Sequence, residues 1–499
     1  MLLSAKRSIF YSALLLTGVN LMLRMVGTSF QVYLSGTIGA EGVGLLQLVL
    51  SVGSMALVAG MAGIRTATMY LTAEEIGKHR PGNLIWVISS CALYSLIASA
   101  TVAGAVYLGA PLIAEHWIGN PEIVDALRLL AAFLPVNCLC GVMVGYFTGA
   151  NRITTLAAVE VAEQLISMIC TVLLLQFWAK HDPERSCLAV VSGSGIGACL
   201  TLSCLIFLRL LEQNPAGQRT PISRRLLQTA VPLAIADDLR TGISTIENLI
   251  VPKRLALFAG TQSPLAAFGT VCGMVFPILT FPMALLFGLT ELLIPELARC
   301  NAAGSKQRID YLVKKSLRIA LLFGTLCSVI LYLAAESLCF TLYGSAEAGK
   351  YLKWFAPLSV MLHCDAVTDA MIKGLGEQKA SVHYNILTNT MDVTFLYILL
   401  PRYGIFGYFL SFTVTHVINF FLSIRRLLKI TGISISMIAP LLTTLSALLT
   451  VMLCKFIPNR ILQSFCSILV LGCLLILCGV IKQNDFHWLK GLINKKQTC

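Results

Sequence analysis

Residues 84–108 read LIWVISSCALYSLIASATVAGAVYL, twenty-five consecutive residues without an Asp, Glu, Lys or Arg. A helix of about 20 apolar residues is long enough to cross the hydrocarbon core of a bilayer. The pattern recurs along the chain, since 57% of its 499 residues are hydrophobic and only 12% are charged, against about 25% charged in a soluble domain. This composition excludes a soluble enzyme, a disordered chain and a nucleic-acid-binding domain, and it predicts an all-α, polytopic membrane protein.

Fourteen apolar stretches of this kind follow one another, and each predicts one transmembrane helix. They are residues 8–30, 44–69, 84–108, 123–148, 153–177, 187–210, 226–250, 265–297, 311–334, 352–375, 381–400, 404–422, 433–456 and 461–481. A faint internal repeat, Ser35-Gly36-Thr37 against Ala259-Gly260-Thr261, indicates two six-helix lobes related by a pseudo-two-fold axis along the membrane normal. We predict one lobe in residues 1–212, a second in 213–430, and two additional helices with a short cytoplasmic tail in 431–499.

The basic residues predict the orientation of the chain. With the amino terminus in the cytoplasm, 24 of the 37 Lys and Arg residues fall on cytoplasmic segments, nine fall outside and four lie within or at the ends of spans. Cytoplasmic loops of membrane proteins carry such an excess of Lys and Arg. The net charge of +13 therefore indicates orientation rather than a nucleic-acid partner, and it predicts a multi-pass protein of the cell membrane with both termini in the cytoplasm.

The same sequence favours a transporter over an enzyme. No connection between the apolar stretches is longer than about 15 residues, so the chain lacks the aqueous loop on which a membrane glycosyltransferase or polymerase usually presents its catalytic groups. The 17 cysteines are scattered through apolar runs and form no Cys-x-x-Cys pair, a pattern typical of buried cysteines rather than of disulfides or zinc ligands. We predict no catalytic residues, no metal and no cofactor.

Charged residues at membrane depth are the candidates for substrate binding, because such groups usually face a partner or a water-filled cavity. Arginine binds phosphate through two parallel hydrogen bonds, which favours an anionic head group as its ligand. The predicted substrate-binding residues are Arg24, Arg240, Glu247, Lys253 and Arg254.

Structural roles are the alternative for most of these residues. Arg240 is close enough in sequence to pair with Asp237 or Asp238 in its own helix. Lys253 and Arg254 could merely anchor a helix end by snorkelling. Arg24 has no acidic residue within four positions, so for Arg24 the binding role is favoured.

Acidic residues within spans are candidates for ion or proton coupling. They are Glu160 and Glu163 in one span and Asp365 and Asp369 in another, where spacings of three and four place each pair on one helix face. Hydrogen bonding to neighbouring helices is the alternative role. Pro277 and Pro282 remove backbone hydrogen bonds from the eighth span, which makes that span the predicted gate.

Several motifs resemble one family of membrane proteins. They are RMVGTSFQVYLSGTIGAEGVGLLQ in residues 24–47, Gly63-Ile64 with the following Ala73-Glu74-Glu75, GYFTG in 145–149, Glu163-Gln164, IENLIVPKRL in 246–255, and the stretch 276–297. Together they resemble the stage V sporulation protein B family, which belongs to the multidrug, oligosaccharidyl-lipid and polysaccharide exporter superfamily. Val144 and Ser167 stand where relatives often carry a basic residue.

The resemblance implies a fold and a function. It implies two six-helix lobes, two additional carboxy-terminal helices, a V-shaped central cavity and alternating access. It also implies a flippase for a lipid-linked diphosphate oligosaccharide, such as a peptidoglycan precursor for the spore cortex, with a coupling cation or proton as a further partner. The alternative of the same fold is a proton- or sodium-coupled drug or cation antiporter. A membrane enzyme and a scaffold without transport are the other two alternatives.

Overall fold

The computed structural model describes residues 2–78, 80–179, 182–212, 222–260, 263–434 and 436–480, and within these ranges it contains helices and no strands. The α-helices are α1 (Leu2–Met61), α2 (Ile64–Gly77), α3 (Leu84–Leu112), α4 (Val124–Gly149), α5 (Ile153–Leu174), α6 (Pro183–Leu210), α7 (Ser223–Leu255), α8 (Pro264–Gly269), α9 (Phe276–Thr280), α10 (Met283–Ala302), α11 (Lys306–Tyr343), α12 (Ala346–Phe355), α13 (Ser359–Gly374), α14 (Gln378–Tyr403), α15 (Ile405–Thr431), α16 (Ile438–Cys454) and α17 (Arg460–Leu477).

Each of the fourteen predicted apolar stretches contains helix in the part that the structure describes, which confirms the all-α membrane fold. By length and composition, eight helices of the described residues can cross a membrane, and the bent pair Pro264–Thr280 and Met283–Ala302 gives a ninth. One of the eight, Leu21–Gly77, contains the predicted stretch 44–69 and the end of the stretch 8–30. Helices α7, α14, α16 and α17 hold the remaining four.

Helix α1 is a hairpin that turns back at Gly39, where the backbone leaves the helical region with φ 71° and ψ 176°. Sixty residues of straight helix would be about 90 Å long, three times the hydrocarbon thickness. Gln31 and Val43 nevertheless both lie next to Gly273. A Cβ added at Gly273 would lie 3.3 Å from Nε2 of Gln31 and 2.0 Å from a methyl carbon of Val43. The two arms of α1 are therefore separate membrane spans.

Two predicted spans are interrupted where the sequence suggested continuous helix. The stretch 44–69 is broken at Ala62 (φ 43°) and Gly63 (φ 72°), whose positive φ angles cannot continue a right-handed helix. The stretch 265–297 is divided into α8, a π-helical turn over Thr270–Val275, α9 and α10, with a bend of 55° before α10. The bend follows from prolines that lack a backbone N–H.

By its contacts the chain forms two compact units, Met1–Met274 with Asn385–Ser411, and Val275–Tyr384 with Phe412–Cys499. We call them unit 1 and unit 2. The predicted lobe boundaries at 212/213 and 430/431 stay a prediction. Residues 213–221 and the predicted tail from residue 481 onward lie outside the described residues.

Unit 1 is packed through small residues that bring helix backbones together. A Cβ added at Gly269 of α8 would lie 2.0 Å from the carbonyl oxygen of Ala40, and one at Gly44 would lie 2.3 Å from the carbonyl oxygen of Leu265. Small residues allow this close approach in membrane proteins, where association depends on van der Waals contact. Helices α1 and α8 therefore touch backbone to backbone.

Unit 2 is organised around α11, whose residues 319–335 carry no Asp, Glu, Lys or Arg. One apolar cluster joins α11 to α10 and α13 and includes Val313, Ala320 and Met371. A second cluster joins α11 to α16 and α17 through Val329, Cys454 and Leu471. Helix α11 therefore holds the two carboxy-terminal helices in place.

Candidate functional site

Helix α7 is fastened along one face to the other helices of unit 1. A Cβ at Gly63, at the start of α2, would lie 2.4 Å from the carbonyl oxygen of Ala230. Further along α7, Thr245 Oγ1 donates to the carbonyl oxygen of Ser51 at 3.1 Å, and Asn248 Nδ2 donates to Ser51 Oγ at 3.0 Å. One face of α7 is thereby packed, and the middle of the other face is left exposed.

That exposed face carries charge at membrane depth. Asp237 and Arg240 are exposed, and neither makes an ion pair with any residue that the structure describes, although they lie three positions apart. Each charge placed in hydrocarbon costs about 3 kcal/mol, so a pair facing lipid would cost about 6 kcal/mol, a large part of a typical protein's 5–15 kcal/mol of stability. This face of α7 must therefore border water or a polar ligand.

Two more arginines of unit 1 are exposed within spans. Arg24 is exposed on the first arm of α1, one turn before Gly27, where an added Cβ would lie 3.4 Å from Nε2 of Gln164 on α5. Arg65 is exposed on α2 and interacts electrostatically with Glu160 of α5. The helices that carry Arg24 and Arg65 thus both meet the segment of α5 that holds the Glu163-Gln164 motif.

The carboxy-terminal end of α7 is held by its last two basic residues. Lys253 Nζ donates to the carbonyl oxygen of His116. The guanidinium of Arg254 stacks on the ring of Tyr397 at 3.6 Å from its centroid and donates to the Tyr397 carbonyl oxygen at 3.1 and 3.2 Å. These contacts fit the anchoring role, and the substrate-binding role of Lys253 and Arg254 stays a prediction.

Glu247, half-buried on α7, lies beside Asp392 of α14. Asp392 is 5% exposed and accepts a hydrogen bond from Ser411 Oγ at 2.5 Å. The two carboxyl groups therefore lie together between α7 and α14. Sequence analysis missed this partner because 145 residues separate Glu247 from Asp392.

The four acids predicted for coupling all lie near polar or charged side chains. Glu163 is near Thr201, and Glu160 interacts electrostatically with Arg65. In unit 2, Asn419 Nδ2 donates to Asp365 at 3.0 Å, and Lys373 pairs with Asp369 at 2.6 Å. Their role in coupling stays a prediction. Among the described residues, no group of three or more His, Cys, Asp or Glu side chains is arranged to hold a metal ion.

Pro277 and Pro282 lie on the two sides of the break in the eighth span. Pro277 is in the first turn of α9, and Pro282 caps α10. The backbone N–H groups in the first turn of a helix have no hydrogen-bond partner within the helix. Proline, which lacks a backbone N–H, is therefore tolerated at both positions. The prolines are therefore placed at a preformed bend, and their role as a gate stays a prediction.

The amino-terminal end of α7 carries an ion-pair cluster that was not among the predicted site residues. Arg225 binds Glu75 at 3.1 Å and also contacts Glu74, both on α2. The Glu75 side chain is 1% exposed. The adjacent acids Glu74 and Glu75 were the available signal. Helix α7 is thus fastened to unit 1 at both of its ends and in its middle.

Two family models match the chain. The polysaccharide biosynthesis protein family matches residues 9–239, and the MatE family matches residues 254–398. The first match covers the arginine-bearing helices α1 and α2 and α7 as far as Asp237 and Asp238, and it ends just before Arg240. The second covers α8 to α13 and most of α14.

Proteins with similar sequence or structure agree with these matches. Stage V sporulation protein B of Bacillus subtilis (strain 168) is 23% identical over 484 residues, which cover 92% of this chain and 90% of that protein. A solved structure of a lipid II flippase in an inward closed conformation covers 92% of this chain and 98% of its own, with a TM-score of 0.68 and 13% identity. An inward-facing multidrug resistance MATE family transporter covers 84% and 100%, with a TM-score of 0.65 and 16% identity.

Proposed function

Because the chain belongs to the multidrug, oligosaccharidyl-lipid and polysaccharide exporter superfamily, we propose that it moves a lipid-linked diphosphate oligosaccharide across the cell membrane by alternating access. The name of one relative, stage V sporulation protein B, supports a role in sporulation. The name of one solved neighbour, lipid II flippase, supports a lipid-linked substrate. A peptidoglycan precursor for the spore cortex is the substrate that fits both names.

The observation that carries this proposal is the exposed, membrane-deep Arg240, which has no ion pair to a described residue. A guanidinium stays charged at every physiological pH and offers a planar pair of donors that matches a phosphate. Arg24 presents the same chemistry on α1. A diphosphate group passing along these helices would find cationic donors at the depth where its own charge is most costly.

Transport in liposomes tests the proposal. The purified chain is reconstituted with a fluorescently labelled, undecaprenyl-type lipid-linked disaccharide, and the label that becomes accessible to a membrane-impermeant quencher on the far side is measured. We expect protein-dependent flipping, at least tenfold reduced in Arg240→Ala. Arg308→Ala is the matched control, because Arg308 is also exposed but contacts Glu296 at 3.6 Å, away from the spans' middle.

A drug or cation antiporter is the second candidate function. The match of residues 254–398 to the MatE family and the proximity of the two acids Glu247 and Asp392 favour it. The same liposomes loaded with a cationic dye distinguish the two functions. Export of the dye under a proton or sodium gradient, with no flipping of the lipid, would replace the flippase proposal by the antiporter.

The orientation is a separate proposal, with both termini in the cytoplasm. In a background without native cysteines, a cysteine at Glu122, before α4, should react with an impermeant maleimide in intact cells. A cysteine at Gln307, in the first turn of α11, should react only after the cells are broken. Both residues are exposed, so the difference reports the side of the membrane. Labelling of Gln307→Cys in intact cells would reverse the orientation.

A further inference from the structure

A groove of about 830 Å³ lies in unit 2 between the last turns of α11 and helix α12. Its lining combines three aromatic side chains with three charged ones: Phe340, Tyr351, Trp354, Glu336, Glu347 and Lys350. Ligand sites of this size usually have apolar walls and a few polar groups that orient the ligand. The groove has that composition, and none of its residues belongs to the charged surface of unit 1.

The groove lies at the edge of the hydrocarbon region. Residues 319–335 of α11 are free of Asp, Glu, Lys and Arg and extend about 25 Å along a helix, close to the hydrocarbon thickness. Glu336 is the first charged residue after this run and lines the groove. In the proposed orientation this edge faces outward, so the groove can meet molecules in water as well as in the membrane interface.

The charges of the groove balance one another. Glu336 is paired with Lys353 at 3.0 Å, and Glu347 accepts a hydrogen bond from the Tyr351 hydroxyl. With Lys350, the groove and its immediate partners contain two acids and two lysines. A groove with a net charge of zero attracts neither anions nor cations from a distance. A hydrocarbon chain in the groove would displace water from the charged side chains without replacing the hydrogen bonds that the water made.

A neutral, polyhydroxylated ligand satisfies both parts of this lining. Sugar rings present apolar C–H faces that pack on aromatic rings and hydroxyl edges that donate to carboxylates. The rings of Tyr351 and Trp354 have centroids 5.7 Å apart and are inclined by 44°, and Trp354 and Phe340 are 36% and 66% exposed. Exposed aromatic faces therefore stand beside carboxylate acceptors.

We propose that this groove, formed by Glu336 and Phe340 of α11 with Glu347, Tyr351 and Trp354 of α12, binds an oligosaccharide. The inference rests on the proposed function for its biological ligand, the sugar part of the exported molecule. The groove then serves as an outer subsite that receives the sugar after the lipid-linked head group has crossed the membrane.

Tryptophan fluorescence of the full chain in nanodiscs tests this subsite, because both membrane faces are accessible there. The probe is chitotetraose, a soluble N-acetylglucosamine tetramer without lipid or phosphate. In a variant that keeps Trp354 and replaces Trp86, Trp117, Trp178 and Trp488 by Phe, the sugar should change the emission in a saturable way. A variant that keeps only Trp117, which is 45% exposed, is the matched control and should not respond.

Glu347→Gln and Glu336→Gln in the Trp354 variant should each weaken the apparent affinity at least fivefold. Saturation-transfer NMR with the unmodified protein and the same sugar gives a second measurement that does not depend on the tryptophan replacements. Equal responses at Trp354 and Trp117, or no saturable response by either method, would overturn the proposal. Strong quenching of Trp354 by brominated lipids together with no sugar response would assign the residue to membrane anchoring.

Failure of the subsite and failure of the proposed function give different results. If the lipid-linked disaccharide is flipped but Trp354 does not respond to sugar, only the subsite is wrong. If Trp354 responds and no lipid-linked sugar is flipped, the groove binds sugar and the flippase proposal is wrong.

Discussion

Helices α7 and α11 are both longer than a membrane is thick, with 33 and 38 residues, yet they carry their charges in opposite places. In α11 the charged residues lie at the ends and the central residues 319–335 are uncharged. In α7 the centre holds Asp237, Asp238, Arg240 and Glu247. A helix of the first kind is stabilised by the bilayer itself, whereas a helix of the second kind needs water or protein around its middle.

The ion-pair and hydrogen-bond partners of α7 and α11 also differ. On α11, Lys314 pairs with Asp310 in the same helix at 2.8 Å and Arg308 pairs with Glu296 of the adjacent helix α10, while Arg318 donates to the carbonyl oxygen of Val480. Polar residues of α7 reach other helices of unit 1, as Arg225 does to Glu75 and Thr245 does to Ser51. We infer that α11 is an anchor and that α7 presents functional groups from a surface that its other contacts hold in place.

The largest expected difference between the two helices is in transport. Arg240→Ala on α7 should reduce flipping of the lipid-linked disaccharide at least tenfold, since a lost hydrogen-bonded contact between two charged groups is worth more than about 1.4 kcal/mol. Arg308→Ala on α11 should leave transport within about twofold. Arg240→Lys should restore only part of the activity, because an ammonium cannot make the bidentate contact. If the two alanine variants reduce transport equally at equal membrane abundance, α7 and α11 do not differ in their contribution to transport.

The next effect is on stability, at the amino-terminal end of α7. Arg225→Ala leaves the buried carboxylate of Glu75 without its partner, and breaking a buried ion pair from one side costs about 3 kcal/mol. Lys314→Ala on α11 breaks an i,i+4 pair between side chains that are about half exposed, which is worth about 0.5 kcal/mol. Unfolding by SDS titration in mixed micelles compares the two variants. A smaller loss of stability for Arg225→Ala than for Lys314→Ala would show that this ion pair does not hold α7 to α2.

A smaller effect should come from the contact between Gly63 and α7. Alanine at Gly63 would need φ 72° and would place its Cβ 2.4 Å from the Ala230 carbonyl oxygen, so we expect a loss of about 2 kcal/mol. In α11 a Cβ at Gly324 would lie 3.0 Å from Cα of Val360, and alanine gains about 1 kcal/mol of helix propensity there. Gly324→Ala should therefore change the thermal unfolding midpoint little. A stable Gly63→Ala variant would show that α7 can move away from α2.

Hydropathy was sufficient to predict the helices but not their breaks. An apolar run reveals a span because the bilayer is the same solvent for every helix. The break at Ala62 depends on a positive φ that no apolar pattern encodes. Similarly, the stretch 265–297 gave no sign of its π-helical turn, although its prolines predicted a weak point.

The candidate site was predictable only as a set of residues, not as an arrangement. Arg24, Arg240 and Glu247 were selected because a charged side chain within a membrane span has a high free-energy cost. The sequence left open whether Arg240 pairs with Asp237, since spacing permits an ion pair without requiring it. The partner of Glu247 could not be found from one sequence, because Asp392 lies on a distant helix and is brought near only by tertiary packing.

The smallest expected effect on α7 is that of Glu247→Gln, in the middle of the helix. The amide of glutamine can donate a hydrogen bond to the Asp392 carboxylate, so the loss of stability should be only about 1 kcal/mol. Glu336→Gln on α11 removes an exposed ion pair with Lys353, 3.0 Å apart, and should cost less than about 0.5 kcal/mol. Glu247→Leu is the decisive companion, because it leaves Asp392, which is 5% exposed, without that donor. It should cost about 2 kcal/mol more than Glu247→Gln. If SDS titration finds the Leu and Gln variants equally stable, the stability of the protein does not depend on a hydrogen bond between residue 247 and Asp392. The side chains of α7 would then contribute to stability independently, as those of α11 do.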